Sequence, residues 1–312
     1  MKLSANFISS IINSRFFVTR EYLLSALAQI AAIAYFNDKT RIDAILSYKE
    51  KCDNEVNVLS ESIKINVVAK DFANESLEDE SIAYHRVKGL IMAEESYYGF
   101  STKQFIRNLQ AADANPRVMS HFIAINSGGG EAWFLDVAAK AMKSLKKPSV
   151  AHYENVAASA AIYLSSGADK IFAATPNEII GSIGTMVSFM DIEPMLQKWG
   201  IKLIEEYATQ SDLKNKKYKD LKDGNPEQFI KDDLDPLAAQ FIASVADTRP
   251  ATAKLGFEHP LFRGETFDTA ASIALGLIDG EMLMEDAIVV AHDLGKQYKA
   301  KQQQTQKLFS II

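Results

Sequence analysis

Short apolar runs separated by amphipathic stretches dominate the chain from residue 82 onward. The runs Phe122–Ile125, Ser149–Tyr153 and Lys170–Ala173 have the length and composition of buried strands. Between them, apolar residues return at helical spacing in Ser101–Asp113, where Ser101 is a suitable N-cap, and in Glu131–Leu145. This alternation predicts an α/β fold with largely parallel sheets and flanking helices.

The same pattern extends on both sides of this alternation. It predicts a strand over Ile82–Met92, a small-residue helix over Ala157–Ser166, a helix from Pro194, a strand over Ile201–Tyr207, a loop rich in Lys and Asp over 210–226 and a long helix over 228–247. Residues 1–50 have a helical pattern, and the polar stretch 51–80 is interpreted as a linker with one short strand at Ile63–Val68. The chain is thus divided into an N-terminal helical extension and linker (1–80), a globular domain (81–295) and a polar C-terminal tail (296–312).

Composition and charge exclude several classes of function. Apolar residues make up 47% and charged residues 24%, as in ordinary globular proteins, and the net charge of -6 gives no general reason to bind nucleic acid. Cys52 is the only cysteine, so no intrachain disulfide can form, and a reducing compartment is favoured. The five histidines form no metal-binding motif, so neither a metal nor a cofactor is predicted.

Two features of the N-terminal region bear on membrane association: the residues after Lys2 and the apolar run Tyr22–Phe36. No continuous apolar core of a signal peptide follows Lys2, which favours a cytoplasmic protein. The apolar run Tyr22–Phe36 is about 15 residues long and is interrupted by polar residues, whereas a spanning helix needs roughly 20. We interpret it as an amphipathic helix that docks on the domain or on a partner, with membrane association as the alternative.

Three consecutive glycines, Gly128–Gly130, follow a predicted buried strand. Their backbone N–H groups are not shielded by side chains, so the turn can hold a phosphate or the oxyanion of an acyl-transfer intermediate. A P-loop would need Lys followed by Ser or Thr after the glycines, but Glu131 and Ala132 stand there. The oxyanion interpretation is therefore favoured, and a plain tight turn is the alternative.

Ser159 is the candidate nucleophile because of its position. Alanines flank it at the start of a predicted helix, one strand after the glycine turn, so the two can face one cleft. His152 would lie at the wrong end of the intervening strand to serve as its base. A lysine could serve if burial lowered its pKa by about 3 units, roughly 4 kcal/mol. The segment Lys214–Lys222 offers several candidates.

Several spaced motifs resemble those of the signal peptide peptidase A family of Ser-Lys peptidases, whose fold is that of ClpP and crotonase. The matching text is INSGGG from Ile125, ENVAASAAIYLSSGADKIFAA from Glu154, GSIG from Gly181 and FRGETFDTAASIALGLIDG from Phe262. The resemblance implies that Ser159 is the nucleophile. It also implies that Lys219, in the tetrapeptide KYKD, is the general base.

The resemblance implies further roles at the same site. The N–H groups of Gly129 and Ala160 would bind the oxyanion, Gly130 would belong to the same binding turn, and Ser182 would position the lysine amine. The chain departs from the family at Gly128, where a proline is usual, and at Ala160–Ala161, where two glycines are usual. The segment before Lys219 is also longer than usual, so Lys217 is kept as the reserve base.

The resemblance also suggests a biological role. The alanines after Ser159 are a variant associated with phage and prophage members, which favours a capsid-assembly protease acting on scaffold or capsid proteins in the host cytoplasm. Family members assemble into rings, so a ring-shaped homo-oligomer is expected. The alternatives are a signal peptide peptidase at the membrane, a crotonase-type acyl-CoA enzyme using carboxylates such as Glu131 and Glu154, and an assembly protein with an inactive site.

Overall fold

The structure is a computed structural model that describes residues 16–18, 56–94, 100–188, 191 and 193–309. Its strands are β1 (Phe16–Val18), β2 (Val67–Val68), β3 (Ser81–Lys88), β4 (Ile91–Met92), β5 (Phe100–Ser101), β6 (Val118–Ser127), β7 (Gly129–Glu131), β8 (Ser149–Ala158), β9 (Lys170–Ala173), β10 (Ile179–Gly181), β11 (Thr266–Phe267) and β12 (Gly280–Glu281).

The helices alternate with these strands along the chain. They are α1 (56–63), α2 (Thr102–Ala114), α3 (Leu135–Lys143), α4 (Ala160–Ser165), α5 (Glu193–Lys198), α6 (Lys216–Lys222), α7 (Asp235–Thr248), α8 (Thr269–Ala274) and α9 (Met284–Phe309). A helical turn, Glu227–Phe229, and a π-helical stretch, Ile230–Leu234, lead into α7. Short 3-10 turns lie at Thr209–Ser211, Thr252–Leu255 and Pro260–Arg263.

The larger sheet brings together the strand ends next to which the candidate site residues lie. Its main order is β11-β10-β8-β6-β3-β2, and the first half of β8 pairs with β9, which in turn pairs with β12. Every pairing in this sheet is parallel except that of β10 with β11. Ser127 pairs with Ala157, and Ala158 pairs with Gly181. The carboxyl ends of β6, β8 and β10 therefore meet at one edge, where α/β proteins bind their ligands.

Helices cover both faces of this sheet. On one face, residues of α2, α3, α4 and α7 form a large core that includes Leu109, Leu135, Leu164 and Phe241. On the other face, α9 packs against β6 and β8. Burial of both faces explains why the strands are apolar runs without alternation, and it confirms the predicted α/β class.

A smaller sheet carries the glycine turn. Its order is β1-β7-β4-β5, in which β1 pairs antiparallel with β7 and the other pairings are parallel. Gly130 of β7 pairs with Ile91 of β4, and a Cβ atom at residue 130 would lie 1.8 Å from the Ile91 carbonyl oxygen. Only glycine can occupy that position at this strand spacing.

Several predicted elements form as expected and others do not. Ser101 caps α2 by accepting a hydrogen bond from the Gln104 N–H at 3.2 Å, and β9 has the predicted bounds. The predicted strand over 201–207 does not form: in the described part of the chain these residues have no strand partner, and most of them are exposed. The predicted loop over 210–226 contains the helix α6. Within the predicted helical region 1–50, Phe16–Val18 is a strand, and the run Tyr22–Phe36 lies outside the described residues.

The chain also differs from the predicted linker and tail. Val56 of α1, Ile65 and Val67 are buried in the core under α9, and Val67 pairs with Ile82 of β3. Residues 56–68 are therefore part of the folded domain and not a linker. At the other end, α9 continues through residues 296–309, so this polar stretch is a helical continuation of the domain. Within the described ranges, no helix is long and apolar enough to cross a bilayer.

Candidate active site

Ser159 lies on the sharp turn between β8 and α4. Its backbone has φ 56° and ψ -115°, a region that costs a non-glycine residue about 1–3 kcal/mol. Its N–H donates to the Gly181 carbonyl at 2.8 Å, and its carbonyl accepts from the Tyr163 N–H at 3.0 Å. Only 1% of Ser159 is exposed. The turn thus holds the serine rigidly at the carboxyl edge of the sheet, and strand-to-helix turns of this kind hold the nucleophile in α/β-hydrolases.

The GSIG segment is fixed directly beside Ser159. Gly181 has φ 124°, and a Cβ atom there would lie 2.7 Å from the Glu265 carbonyl oxygen. The next residue, Ser182, donates its N–H to the same carbonyl at 2.7 Å and has φ 54°. The structure therefore brings Ser182 and Ser159 to adjacent positions at the ends of β10 and β8.

Hydrogen bonds within the turn and to the end of β4 hold the glycine strand in place. The Gly129 N–H donates to the Ser127 hydroxyl at 3.1 Å, and that hydroxyl donates to the Gly89 carbonyl at 2.6 Å. The buried Glu131 carboxylate accepts from the Ala93 N–H at 2.7 Å. In this conformation the Gly129 N–H is occupied, so an oxyanion would have to displace the Ser127 hydroxyl. The sequence analysis did not single out Ser127; a serine between a buried strand and three glycines was the available signal.

Ala160 begins α4 immediately after the serine. The Ser159 side chain makes no capping hydrogen bond, so it does not occupy the N–H groups of the first turn. The residues of α4 are buried, and this helix contacts β7. The strand that carries Gly129 and Gly130 therefore lies beside the helix that begins at Ala160, immediately after Ser159.

Lys219 lies in a different environment, on the exposed helix α6. Half of its side chain is exposed, its Nζ is 3.4 Å from Glu205 Oε2, and the same atom lies 4.4 Å from the centre of the Tyr207 ring. Desolvation lowers the pKa of Lys219, but the hydrogen bonds and charges of Tyr207 and Glu205 outweigh it and raise the pKa above its ordinary value. Among the described residues, no hydrogen bond joins Lys219 to Ser159.

Lys217, the reserve base, is held by a stronger ion pair. Its Nζ lies 2.5 Å from Oδ2 of Asp233, which is buried, and 3.9 Å from Asp232. This ion pair joins α6 to the π-helical stretch Ile230–Leu234, which precedes α7. The geometry therefore suits Lys217 to holding α6 against the domain.

Two other groups that could act as bases lie far from the serine. His152 is in the middle of β8, with Nε2 3.0 Å from the Met282 carbonyl, and the seven residues to Ser159 span about 20 Å of strand. Burial lowers the pKa of Lys147 to about 8, but this residue precedes β8 and lies about 40 Å from Ser159 along the chain. Neither can take a proton from the serine.

Comparison with known sequences identifies relatives across most of the chain. A protein-family model described as "Peptidase family S49" matches residues 141–298 of this chain. The Enterococcus faecium protein named "Putative signal peptide peptidase SppA" is 27% identical over 263 residues, which cover 80% of this chain and 71% of that protein. The Methanocaldococcus jannaschii protein named "Putative protease MJ0651" is 26% identical over 196 residues, covering 60% of this chain and 59% of that protein.

Solved structures with related folds are more distant. A mutant of a membrane-bound stomatin-specific protease in complex with a substrate peptide has a TM-score of 0.43 and 15% identity, covering 69% of this chain and 81% of that one. A ClpP1 mutant from Listeria monocytogenes has a TM-score of 0.38 and 12% identity, covering 65% and 93%. An enoyl-CoA hydratase/isomerase from Mycobacterium abscessus, given as putative, has a TM-score of 0.39 and 14% identity, covering 73% and 75%.

Proposed function

Because this chain belongs to peptidase family S49 and is a serine peptidase, we propose that it hydrolyses peptide bonds with Ser159 as nucleophile and Lys219 as general base. The observation that carries the choice of serine is its backbone. Ser159 is held in a strained conformation at the sheet edge where β6, β8 and β10 end. Such strain is retained where a functional group must be aimed.

The proposed reaction proceeds through an acyl-enzyme. Neutral Lys219 takes the hydroxyl proton as Ser159 Oγ attacks the peptide carbonyl carbon, and the proton then passes to the leaving amine. Water, deprotonated by Lys219, hydrolyses the resulting ester and frees Ser159. The N–H groups of Ala160 and of Gly129, once released from the Ser127 hydroxyl, would bind the oxyanion, each worth about 3 kcal/mol. Ser182, beside Ser159, would orient the lysine amine.

The separate environments of the two residues support a homo-oligomer. The segment that carries Lys219 exposes large apolar side chains: Trp199, Ile204 and Leu213 are 67%, 73% and 74% exposed. A concentration of such residues is typical of a protein–protein interface. We propose that this segment packs on a neighbouring copy in a ring. There α6 would exchange Glu205 and Tyr207 for an environment that lowers the pKa of Lys219.

Substitution of the two residues tests the dyad. Wild type is compared with Ser159→Ala, Lys219→Ala and, as a matched control, Lys214→Ala, on denatured casein and Ala-rich peptides. We expect the first two variants to lose activity by about 10⁴-fold or more while keeping the wild-type circular dichroism spectrum. The control should retain activity. Full activity of Lys219→Ala would exclude it as the base.

A mixing experiment tests the assembly. If each site takes Ser159 from one copy and Lys219 from another, mixing the inactive Ser159→Ala and Lys219→Ala proteins before assembly creates some sites with both groups. Partial recovery of activity, in complexes whose mass is a multiple of 34.5 kDa, is the expected result. A monomer that is active alone would contradict the proposed ring.

For the biological substrate, we propose scaffold or capsid proteins of a phage particle, cleaved in the host cytoplasm. The support is the sequence Ser159-Ala160-Ala161, the variant associated with phage-type members. The second candidate is clearance of signal peptides at a membrane, which the name of the Enterococcus faecium relative favours. Identifying cleavage products by mass spectrometry, with unfolded proteins in buffer and signal peptides in lipid vesicles offered together, separates the two. Preferential cleavage of the vesicle-bound peptides would reject the phage assignment.

A further inference from the structure

The outer edge of the glycine strand is covered by the chain's own N-terminal segment. β7 has two neighbours: β4 on one side, in parallel, and β1 on the other, antiparallel. Phe16 pairs with Glu131, Phe17 with Gly130 and Val18 with Gly129. More than 100 residues separate the paired segments in sequence, so this is a tertiary contact and not a hairpin.

This strand runs toward the candidate nucleophile. Because the pairing is antiparallel, the amino end of β1 lies at Glu131 and its carboxyl end lies at Gly129, the residue assigned to the oxyanion turn. β1 also contacts α4, the helix that begins immediately after Ser159. An extended backbone therefore passes along the glycine strand and reaches the site at the end of Val18.

We propose that β1 is a tethered, substrate-like strand that occupies the peptide-binding edge of β7 and competes with substrate for it. This inference rests on the proposed peptidase function and names its substrate form and its regulation. Substrates would bind as extended, unfolded segments that add an antiparallel strand to β7. Main-chain hydrogen bonds of this kind give affinity with little dependence on sequence.

Tethering makes the competition effective. A segment of the same chain is present at an effective concentration in the millimolar range, so it occupies the edge unless it is displaced or the substrate binds more tightly. The apparent Kd for a free peptide is raised in inverse proportion to the fraction of molecules in which the edge is open. If β1 covers nine sites in ten, its release tightens peptide binding about tenfold.

The test replaces the backbone donors of β1 in the full chain. The variant Phe17→Pro/Val18→Pro removes two successive N–H groups, of which one faces β7 because donors alternate along a strand. Phe17→Ala/Val18→Ala is the matched control, since it shortens the same side chains but keeps both N–H groups. All binding measurements use the Ser159→Ala background, so that they do not depend on catalysis.

Two readouts are taken on these proteins. Hydrogen exchange of fragments containing residues 129–131 reports whether β7 is covered. Fluorescence polarisation of a labelled, unfolded casein peptide reports binding. We expect the proline variant to exchange faster at 129–131 and to bind the peptide about tenfold more tightly, with the alanine control close to the parent protein. A synthetic peptide of residues 13–22 should compete with the labelled peptide.

The outcomes separate this inference from the proposed function. Unchanged exchange in the proline variant would show that β1 does not cover the edge, and faster exchange without tighter binding would show that peptides bind elsewhere; either overturns the inference. In proteins that retain Ser159, the proline variant should also have a several-fold lower KM. If these proteins bind peptide as expected but do not hydrolyse it, the peptidase mechanism fails while the strand competition stands.

Discussion

The two residues proposed to form the dyad lie in regions of opposite character. Around Ser159, the backbone is buried, the strand ends are joined by hydrogen bonds of 2.7–2.8 Å, and two non-glycine residues adopt positive φ angles. Around Lys219, the helix α6 is short and exposed, and its lysine contacts Glu205 and Tyr207. The fold itself fixes the proposed nucleophile, whereas the position of the proposed base depends on contacts that are individually weak.

This difference indicates how the site is completed. An exposed ion pair contributes little to stability, so α6 can exchange its partners at little cost. The turn at Ser159 stores strain of about 1–3 kcal/mol, which only a surrounding structure that remains packed can sustain. Regulation should therefore act on the segment around Lys219 and on access to the edge of β7, whereas the turn at Ser159 should not change.

The largest effect is expected in the buried region near Ser159, at the glycine strand β7. Gly130→Ala places a Cβ atom 1.8 Å from the Ile91 carbonyl oxygen, so β4 and β7 must separate. We expect a loss of about 3 kcal/mol or more in the free energy of unfolding, measured by urea denaturation. Gly184→Ala is the matched control, because its Cβ would meet its nearest neighbour at 3.7 Å. Equal stability of the two variants would mean that the small sheet yields easily.

A smaller effect should expose the strain at the nucleophile. Ser159→Gly and Ser159→Ala both remove the hydroxyl, but only glycine accepts φ 56° and ψ -115° without cost. We expect the glycine variant to be more stable than the alanine variant by about 1 kcal/mol, after the entropy of glycine in the unfolded chain is included. Thermal unfolding of the two inactive proteins measures the difference. A more stable alanine variant would remove the argument for strain.

The pH dependence of stability should come from two buried histidines of the domain, His85 and His121. His85 Nε2 lies 3.1 Å from His121 Nδ1, and His121 Nε2 lies 3.5 Å from the Asp113 carboxylate. Burial lowers the pKa of both histidines below 6.5, and for His85 the neighbouring His121 adds to this. The unfolded chain then binds more protons below about pH 6.5, so stability should fall as the pH falls through that value.

His85→Phe tests this assignment. The His85 ring packs against Phe72 and Phe105, so phenylalanine fits the surroundings. The urea midpoint of the variant should fall less steeply between pH 7 and pH 5 than that of wild type. An unchanged slope would place the pH dependence elsewhere in the protein.

The smallest effect is expected at Glu205, in the exposed segment around Lys219. Glu205→Gln removes a charge that raises the pKa of Lys219, so more of the lysine is neutral at a given pH. In the unassembled chain, the pKa of Lys219, followed by NMR of labelled lysine, should fall, and stability should hardly change because both side chains are half exposed. Asp212→Asn, an exposed acidic residue in the same segment, serves as the control. An unchanged pKa of Lys219 would mean that Glu205 does not act on this lysine.

Much of the fold could be predicted from local pattern. Lys170–Ala173 is a strand with the predicted bounds because its apolar run is buried on both sides, and Ser101 caps a helix as its sequence indicates. The pattern failed where structure depends on a distant partner. Ile201–Tyr207 has strand-like composition but no strand beside it, and Phe16–Val18 is a strand only because β7 offers an edge.

The site was predictable to a similar extent. The placement of Ser159 beside the glycine turn follows from parallel strands that end together, which the pairings of β6, β8 and β10 show. Lys219 came from a family resemblance, since nothing in a lysine-rich segment distinguishes one lysine from the next. The Lys216–Asp220 pair, four residues apart and joined at 2.5 Å, was a usable signal that this segment is helical.

The antiparallel cover of β7 has a consequence for solubility. An uncovered strand edge is a template on which other chains can add strands, and proteins protect such edges with their own segments. With β1 in place, the backbone groups of β7 are paired within the molecule. Deleting the first residues of this chain would uncover the edge of β7 and, in the same step, create a surface on which copies can aggregate. Precipitation of the truncated protein would therefore indicate, as a gain in activity would, that β1 normally covers the edge of β7.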